Sequence, residues 1–489
     1  MVLFSSPTFL FVFLPILLGL YFVVRTDVRN LILLAASVLF YCWGEGGYVL
    51  VLGFSIVFNY LAGLCLGRLS RPLASKIVLA LAVAGNLALL VAFKYANFLV
   101  DNLGPLLLWT GLRHHPVALA PVHLPLGVSF FTFQAISYVV DVYRREVPAQ
   151  KNPLLFALYK TFFPQLIAGP IVRYKDVAKE LAGRCVTLEG FAAGAKRFAV
   201  GLSKKMLVAN TLAAAADAVF GIPAGHVGPA AAWLGIICYT FQIYFDFSGY
   251  SDMAIGLGRM FGFHFPENFR HPYAAASVTD FWRRWHMSLS GWFRDYLYVP
   301  LGGNRCGRAR LYFNLLIVFA LCGFWHGASW NFLLWGLFHG ALLTAERMGL
   351  AKAVERLWRP LRHVFTMAAV LAGWVLFRTA TPTDAALFFR ALAGFSTAGA
   401  ADSAVNVFWN MQVALALVIA VIGSAPVWPL AAQGWGRLRR WAEAAGSAAA
   451  VFVESTGALV EGTTCLALLV LSTGPLAAGT YNPFIYFRF

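Results

Sequence analysis

Apolar residues in this chain come in long runs separated by short clusters of arginine and lysine, without the ten-residue alternation that marks a membrane barrel. A run of about 20 apolar residues spans a ~30 Å hydrocarbon core as a helix at ~1.5 Å per residue. Helices are therefore the expected spanning elements, because they satisfy their own backbone in lipid. Residues 8–24 read as a first span, 31–43 and 48–66 as a hairpin about Gly44-Glu45-Gly46-Gly47, 77–100 as a fourth span and 121–140 as a fifth. Basic clusters follow alternate spans: Arg25 and Arg29, then Arg68, Arg71 and Lys76, then Arg144, Arg145 and Lys151. Because short cytoplasmic loops carry the positive charge, this alternation predicts an extracytoplasmic N-terminus.

After residue 150 the regular pattern breaks, as it does where membrane proteins build cavities. Residues 154–171 hold Lys160, Pro164, Gly169 and Pro170, which predicts a re-entrant segment. Residues 188–209 mix Lys196, Arg197, Lys204 and Lys205 with Phe191, Phe198, Leu202 and Leu207, which predicts a helix lying in the interface. A hairpin of 212–221 and 230–247 follows. In 279–300, Phe281, Trp285, Leu289 and Phe293 recur every four residues, predicting one aromatic interfacial helix capped by Thr279 or Asp280 and carrying His286. Segments 364–377, 407–427 and 448–472 complete an expected ten to twelve spans or re-entrant pieces. With its basic end clusters, 313–340 is expected to dip in and return, and the count leaves the C-terminus outside.

Composition agrees. The chain of 489 residues is 60% hydrophobic and only 12% charged, with a mean hydropathy of +0.71, whereas soluble domains are about a quarter charged. The net charge of +17 lies in the loop clusters, so it marks membrane orientation and not a nucleic-acid partner. No basic n-region or A-x-A exit surrounds the first apolar run, which predicts a retained helix. The seven cysteines form no C-x-x-C pair and read as packing residues, with no metal site expected. No internal repeat or soluble domain is evident, so residues 1–489 are read as one membrane unit.

Candidate chemistry concentrates in 313–340, a stretch free of Lys, Arg, Asp and Glu that carries His326 near its middle. An ionisable side chain at such depth usually faces a cavity, and imidazole exchanges protons near neutral pH. The other reading is a histidine bonded between helices. Asp246 and Asp252 are expected as buried partners of basic residues ahead of metal ligands or caps, and His339 as structural. The turn Leu301-Gly302-Gly303-Asn304-Arg305 lacks the G-x-x-x-x-G-K-[ST] pattern of a phosphate loop.

The blocks DFWRRWHMSLSGWFRDYLYVPLGGNR (280–305) and GFWHGASWNFLLWGLFHG (323–340) resemble those of membrane-bound O-acyltransferases. The segments at 4–22, 165–174, 242–263 and 484–489 resemble the bacterial branch typified by the integral-membrane subunit of alginate O-acetylation, so the likeness covers nearly the whole chain. It implies an all-α, polytopic ring of tilted helices around a cytoplasmic funnel, in the bacterial inner membrane. His326 matches the family's invariant histidine, and His286 its second polar position, where many eukaryotic members have asparagine.

The implied reaction moves an acetyl group from a cytoplasmic thioester, acetyl-CoA or a carrier-bound donor, toward an extracytoplasmic polysaccharide, alginate-like by this resemblance. No bound cofactor is implied. His326 would be the general base, His286 would orient it, stabilise charge or bind the donor, and Asn331 would donate a hydrogen bond. Arg283, Arg284 and Arg305, with Arg308 and Arg310, would meet the donor's phosphates. The ending FIYFRF (484–489) resembles the C-terminal tyrosine motif of small partners of the D-alanyl branch, which implies Tyr486 as an acyl relay; the alternative is an interfacial anchor. A separate periplasmic acetyltransferase partner is expected. Peptidoglycan O-acetylation and D-alanyl transfer remain open on the same core. A transporter or flippase with an intramembrane His and Asp path is the rival from another class.

Overall fold

The computed structural model describes residues 4–110, 119–396, 405–478 and 482, and every regular element among them is helical. A π-helical turn, Phe9–Phe13, leads into α1 (Leu14–Val23). Helices α2 (Arg29–Glu45) and α3 (Val49–Arg68) meet at Gly46, whose φ of +55° is open mainly to glycine. Next, α4 (Pro72–Leu90), a π-helical turn (Val91–Tyr95) and α5 (Ala96–Trp109) make one 38-residue stretch. The expected fifth span starts late, because Pro121, Pro125 and a left-handed Gly127 keep 119–127 out of the helix. Its helix, α6 (Val128–Tyr143), is buried on every face except at Val140 and Tyr143, so it is a core helix and not a lipid-facing span.

The interrupted 154–171 folds as two short helices, α7 (Pro153–Thr161) and α8 (Phe163–Leu166), broken at the non-helical Phe162 (φ −51°, ψ 110°), with Pro164 in the first turn of the second. Buried Lys160 donates to the Phe131 carbonyl there. After α9 (Tyr174–Ala182) comes α10 (Leu188–Ser203), running through a π turn (Lys204–Ala209) into α11 (Asn210–Phe220) and then the 32-residue α12 (Pro229–Met260).

The interfacial placement expected for 188–209 is corrected: α10 packs directly on α12. A Cβ on Gly201 would lie 2.6 Å from the Gly249 carbonyl oxygen, and one on Gly194 would lie 2.7 Å from that of Gly256. Glycines seven apart on both helices thus let the backbones touch. Three of the four basic residues of this stretch face acids of α12, and Lys196 pairs with Glu461 at 2.7 Å. Lys205 pairs with Asp246 at 2.6 Å, both almost fully buried, and Lys204 and Arg197 hold Asp252 at 2.7 and 2.8 Å. The expected pairing of both aspartates is therefore present, with no group of three potential metal ligands among the described residues.

The 279–300 helix is corrected most. It divides into α13 (Val278–Trp282), α14 (Met287–Phe293) and a π turn (Arg294–Tyr298), and its aromatic stripe is core, not interface. Ser277, not Thr279 or Asp280, caps α13, its Oγ accepting from the Asp280 N–H at 3.0 Å. Asp295, on the π turn, bonds Arg173 and Arg294, both at 2.7 Å. Burial pushes its carboxyl up, but the two guanidiniums hold it below the usual carboxylate range.

Segment 313–340 doubles back as expected, as α15 (Arg308–His326) and α16 (Trp330–Ala345). Then follow α17 (Ala351–Glu355), α18 (Arg359–Arg378), α19 (Pro382–Leu392), α20 (Val405–Phe408), α21 (Met411–Ser424), α22 (Val427–Ala445) and α23 (Ser447–Ala477). The chain bends by 63° between Met411–Ser424 and Pro429–Ala445. Among the described residues six helices are long and apolar enough to cross a membrane, or seven with that bent pair. The expected ten to twelve included re-entrant pieces, and shorter apolar helices such as Phe9–Val23 and Val128–Tyr143 lie outside this count. Near the chain ends, Asn482 donates to the Ser5 carbonyl (3.2 Å) and accepts from Asn210 (3.1 Å).

Candidate active site

α15 stops at His326 because Gly327 leaves the helix (φ −164°, ψ 150°), and Ser329 starts α16 by accepting from the Phe332 N–H at 3.4 Å. The two arms touch through glycine: a Cβ on Gly323 would lie 2.1 Å from the Phe332 carbonyl oxygen, and one on Gly336 2.2 Å from that of Phe319. A helix end leaves carbonyls without intrahelical partners. Here Tyr95 donates to the Phe324 carbonyl (2.8 Å), and Lys94 donates to those of Trp325 (2.6 Å) and His326 (3.0 Å). The His326 ring is buried among Trp325, Trp335 and Phe377, at centroid distances of 4.9, 5.2 and 5.2 Å.

His286 comes from the break between α13 and α14, not from a helix. Its backbone is left-handed (φ 45°, ψ 53°), which is uncommon outside glycine and costs roughly 1–3 kcal/mol. Asn268 over-determines it. The Asn268 side-chain oxygen accepts from Ser288 N–H (3.3 Å) and Ser288 Oγ (2.9 Å) and lies 3.0 Å from His286 Nδ1, while its carbonyl accepts from the Met287 N–H at 2.9 Å. A backbone N–H can only donate, so the facing Asn268 atom is oxygen, and His286 Nδ1 must carry its hydrogen. Neutral His286 therefore has its lone pair on Nε2, which is buried and has no hydrogen-bond partner among the described residues. The His286 and His326 rings are 6.4 Å apart.

His326 also lines a cavity of about 340 Å³ with Glu45, Lys94, His123, Ser129 and Trp325, and Glu45 pairs with His123 at 2.9 Å. Lys94 lies 22 residues beyond Pro72, roughly 33 Å along the axis at ~1.5 Å per residue. The cavity is thus well removed along that stretch from the basic cluster Arg68, Arg71 and Lys76, although α5 continues beyond it to Trp109.

The other predicted residues fall elsewhere. Asn331 is corrected as a donor: its amide nitrogen donates to the Thr379 carbonyl (2.7 Å) and Oγ1 (3.0 Å), tying α16 to α18. Arg283 and Arg305 are exposed, as are Arg308 and Arg310, while Arg284 holds Asp280 at 2.8 Å. Arg308 and His326 begin and end the same helix, roughly 27 Å apart by its rise. His339 is packed against Trp282, whose Nε1 donates to its Nδ1 at 3.4 Å. Tyr486 and the rest of 484–489 lie outside the described residues. Sequence reasoning missed Asn268, Ser288, Lys94 and Tyr95. Lys94, a lone lysine in an apolar run, carried the one usable signal.

Comparison with known proteins shows the family of the chain. The model of the membrane-bound O-acyltransferase family, MBOAT, matches residues 129–351. A probable alginate O-acetylase, AlgI, of Pseudomonas aeruginosa is 42% identical over 99% of this chain and 100% of its own. Another probable alginate O-acetylase, from Azotobacter vinelandii, is 41% identical over 99% of this chain and 100% of its own. A peptidoglycan O-acetyltransferase of Helicobacter pylori is 37% identical over 81% of this chain and 80% of its own. With full-length similarity of this order and His326 and His286 buried side by side, the chain belongs to the membrane-bound O-acyltransferase family.

Proposed function

We propose that this enzyme moves an acetyl group from a cytoplasmic thioester to an extracytoplasmic polysaccharide, with His326 as the general base. The observation that carries the reading is the histidine pair: two buried imidazoles from different segments, one ending a helix beside a cavity and the other held in a strained backbone by Asn268. In the proposed step His326 takes the proton of an acceptor hydroxyl, whose oxygen attacks the thioester carbonyl. The C–S bond then breaks, and the proton passes to the leaving thiolate. The indole N–H groups of Trp325 and Trp335, buried without partners among the described residues, are the donors proposed for the oxyanion. His286 in its Nδ1–H form presents an acceptor at Nε2, suited to orienting a donor N–H rather than to holding an oxyanion.

The donor, acetyl-CoA or a carrier thioester, would enter from the side of Arg283, Arg284, Arg305, Arg308 and Arg310. A long flexible arm fits the roughly 27 Å between Arg308 and His326. The cavity beside Glu45 and His123 would receive the acceptor from outside, and both chain ends belong on that face by the charge pattern. In this scheme Tyr486 is the first acceptor, its phenol ester serving as donor to a periplasmic acetyltransferase partner. Alginate-like polysaccharide is the favoured final acceptor because the relatives named above at 42% and 41% identity are probable alginate O-acetylases.

The test is incubation of the purified protein with isotopically labelled acetyl-CoA, followed by peptide mass spectrometry of wild type, His326→Ala and Tyr486→Phe. Label on Tyr486 that disappears in His326→Ala is the expected result. Labelled Tyr486 in His326→Ala would remove the histidine from the base role, and a wild type that consumes thioester without ever labelling Tyr486 would remove the relay.

A further inference from the structure

We propose that Lys94 and Tyr95 act together as a positioning device for His326, fixing the end of its helix and offsetting the negative charge gathered there. The inference rests on the acyl-transfer reading above. Both residues lie on the π-helical turn Val91–Tyr95, the interruption in an otherwise α-helical stretch. Such turns recur at functional sites. By adding a residue to the turn, it brings two consecutive side chains to bear on one neighbour. Three successive carbonyls, of Phe324, Trp325 and His326, are met by these two side chains.

Lys94 Nζ has three hydrogen-bond partners: the Trp325 carbonyl at 2.6 Å, the His326 carbonyl at 3.0 Å and Ser129 Oγ at 3.3 Å. Its donors are therefore engaged by the protein, and its action on the reaction goes through His326. Ser129 belongs to the buried helix α6, so the lysine joins three elements at this point. Electrostatics gives the arrangement a second effect. The C-terminus of a helix carries about half a negative charge, spread over these carbonyls. An oxyanion forming beside His326 would meet that charge, and the donors of Lys94 and Tyr95 at the three carbonyls offset it.

Kinetics of Lys94→Met, Lys94→Arg and Tyr95→Phe, with thioester as the varied substrate, separate positioning from binding. Lys94→Met is expected to lower kcat by roughly 30- to 300-fold with KM within about twofold, and Tyr95→Phe by roughly 3- to 10-fold. Lys94→Arg should restore about tenfold or more over Lys94→Met. A second readout does not depend on turnover: carbethoxylation by diethyl pyrocarbonate, mapped by mass spectrometry. His326 labelling should rise about threefold or more in Lys94→Met relative to His123, which lines the same cavity. A raised KM with unchanged kcat would assign Lys94 to substrate binding and overturn the proposal, as would an unchanged labelling ratio. If Lys94→Met does not fold, the Tyr95→Phe and Lys94→Arg results decide it. A wild type that labels normally but transfers nothing counts against the acyl-transfer reading, and the labelling ratio still tests the positioning.

Discussion

Replacing Gly323 by alanine is expected to stop transfer without unfolding the protein. The new Cβ would sit 2.1 Å from the Phe332 carbonyl oxygen, where ordinary contacts begin near 3.4 Å. The obstacle is backbone, so the arms of the α15–α16 hairpin must part by about 1 Å, one helical turn before His326. Overpacking of this kind costs roughly 1–3 kcal/mol, and alanine returns up to about 1 kcal/mol in helix propensity. The fold survives such a loss. Catalysis does not, because a misplacement of about 1 Å at a reacting group costs on the order of 10²-fold. The assay is labelled-acetyl transfer by detergent-purified protein, normalised to the monodisperse fraction, across a graded series. Gly336→Ala (2.2 Å) should match Gly323→Ala, Gly340→Ala (3.1 Å to the Phe319 side chain) should lose only a fewfold, and Gly53→Ala, with nothing within 4 Å, should equal wild type. A well-folded Gly323→Ala within about threefold of wild type would refute the reasoning, as would a Gly53→Ala that falls equally.

Other substitutions probe other parts of the structure. His326→Ala should lower transfer by about 10²–10⁴-fold, measured on the same labelled donor, while leaving thermal stability close to wild type. His286→Asn should fold, since asparagine tolerates the left-handed backbone, whereas His286→Val should lose roughly 1–3 kcal/mol more, read as a lower melting temperature in detergent. Lys205→Met leaves Asp246 as a buried charge without its lysine and should cost about 3–5 kcal/mol, much of it recovered in Lys205→Met/Asp246→Leu. The Asp295 carboxyl is held low, so its contribution is present above about pH 4 and is lost as pH falls through its folded value. Asp295→Asn should flatten the acid limb of a melting-temperature profile.

The polytopic helical class was legible from apolar run lengths, and His326 stood out as a candidate from an ionisable side chain midway along a run free of Lys, Arg, Asp and Glu. The pairing of Asp246 and Asp252 was legible too, because buried acids need cations. What escaped was set by backbone and by distant contacts. The four-residue aromatic repeat from Phe281 to Phe293 fits a continuous helix, yet the Asn268 hydrogen bonds hold His286 left-handed and break it. Basic residues in 188–209 suggested a surface helix, because their acidic partners lie some 50 residues later. The glycines at 194, 201, 249 and 256 were visible as residues, but their facing arrangement exists only once α10 and α12 pack. The lone charge of Lys94 in its apolar run was visible, but its carbonyl partners and those of Tyr95 lie more than 200 residues away.

The clasp between Ser5 and Asn482 also bears on how the molecule is made. Its partners are separated by 477 residues, so the Asn482 side is synthesised long after the Ser5 side. At ribosomal rates of about 5–20 residues per second, the early segment waits roughly 25–95 seconds for its counterpart. During that interval the earlier helices stand without this contact. Closure therefore waits on synthesis of the Asn482 segment, and a chain cut before it would leave the Ser5 carbonyl without this donor.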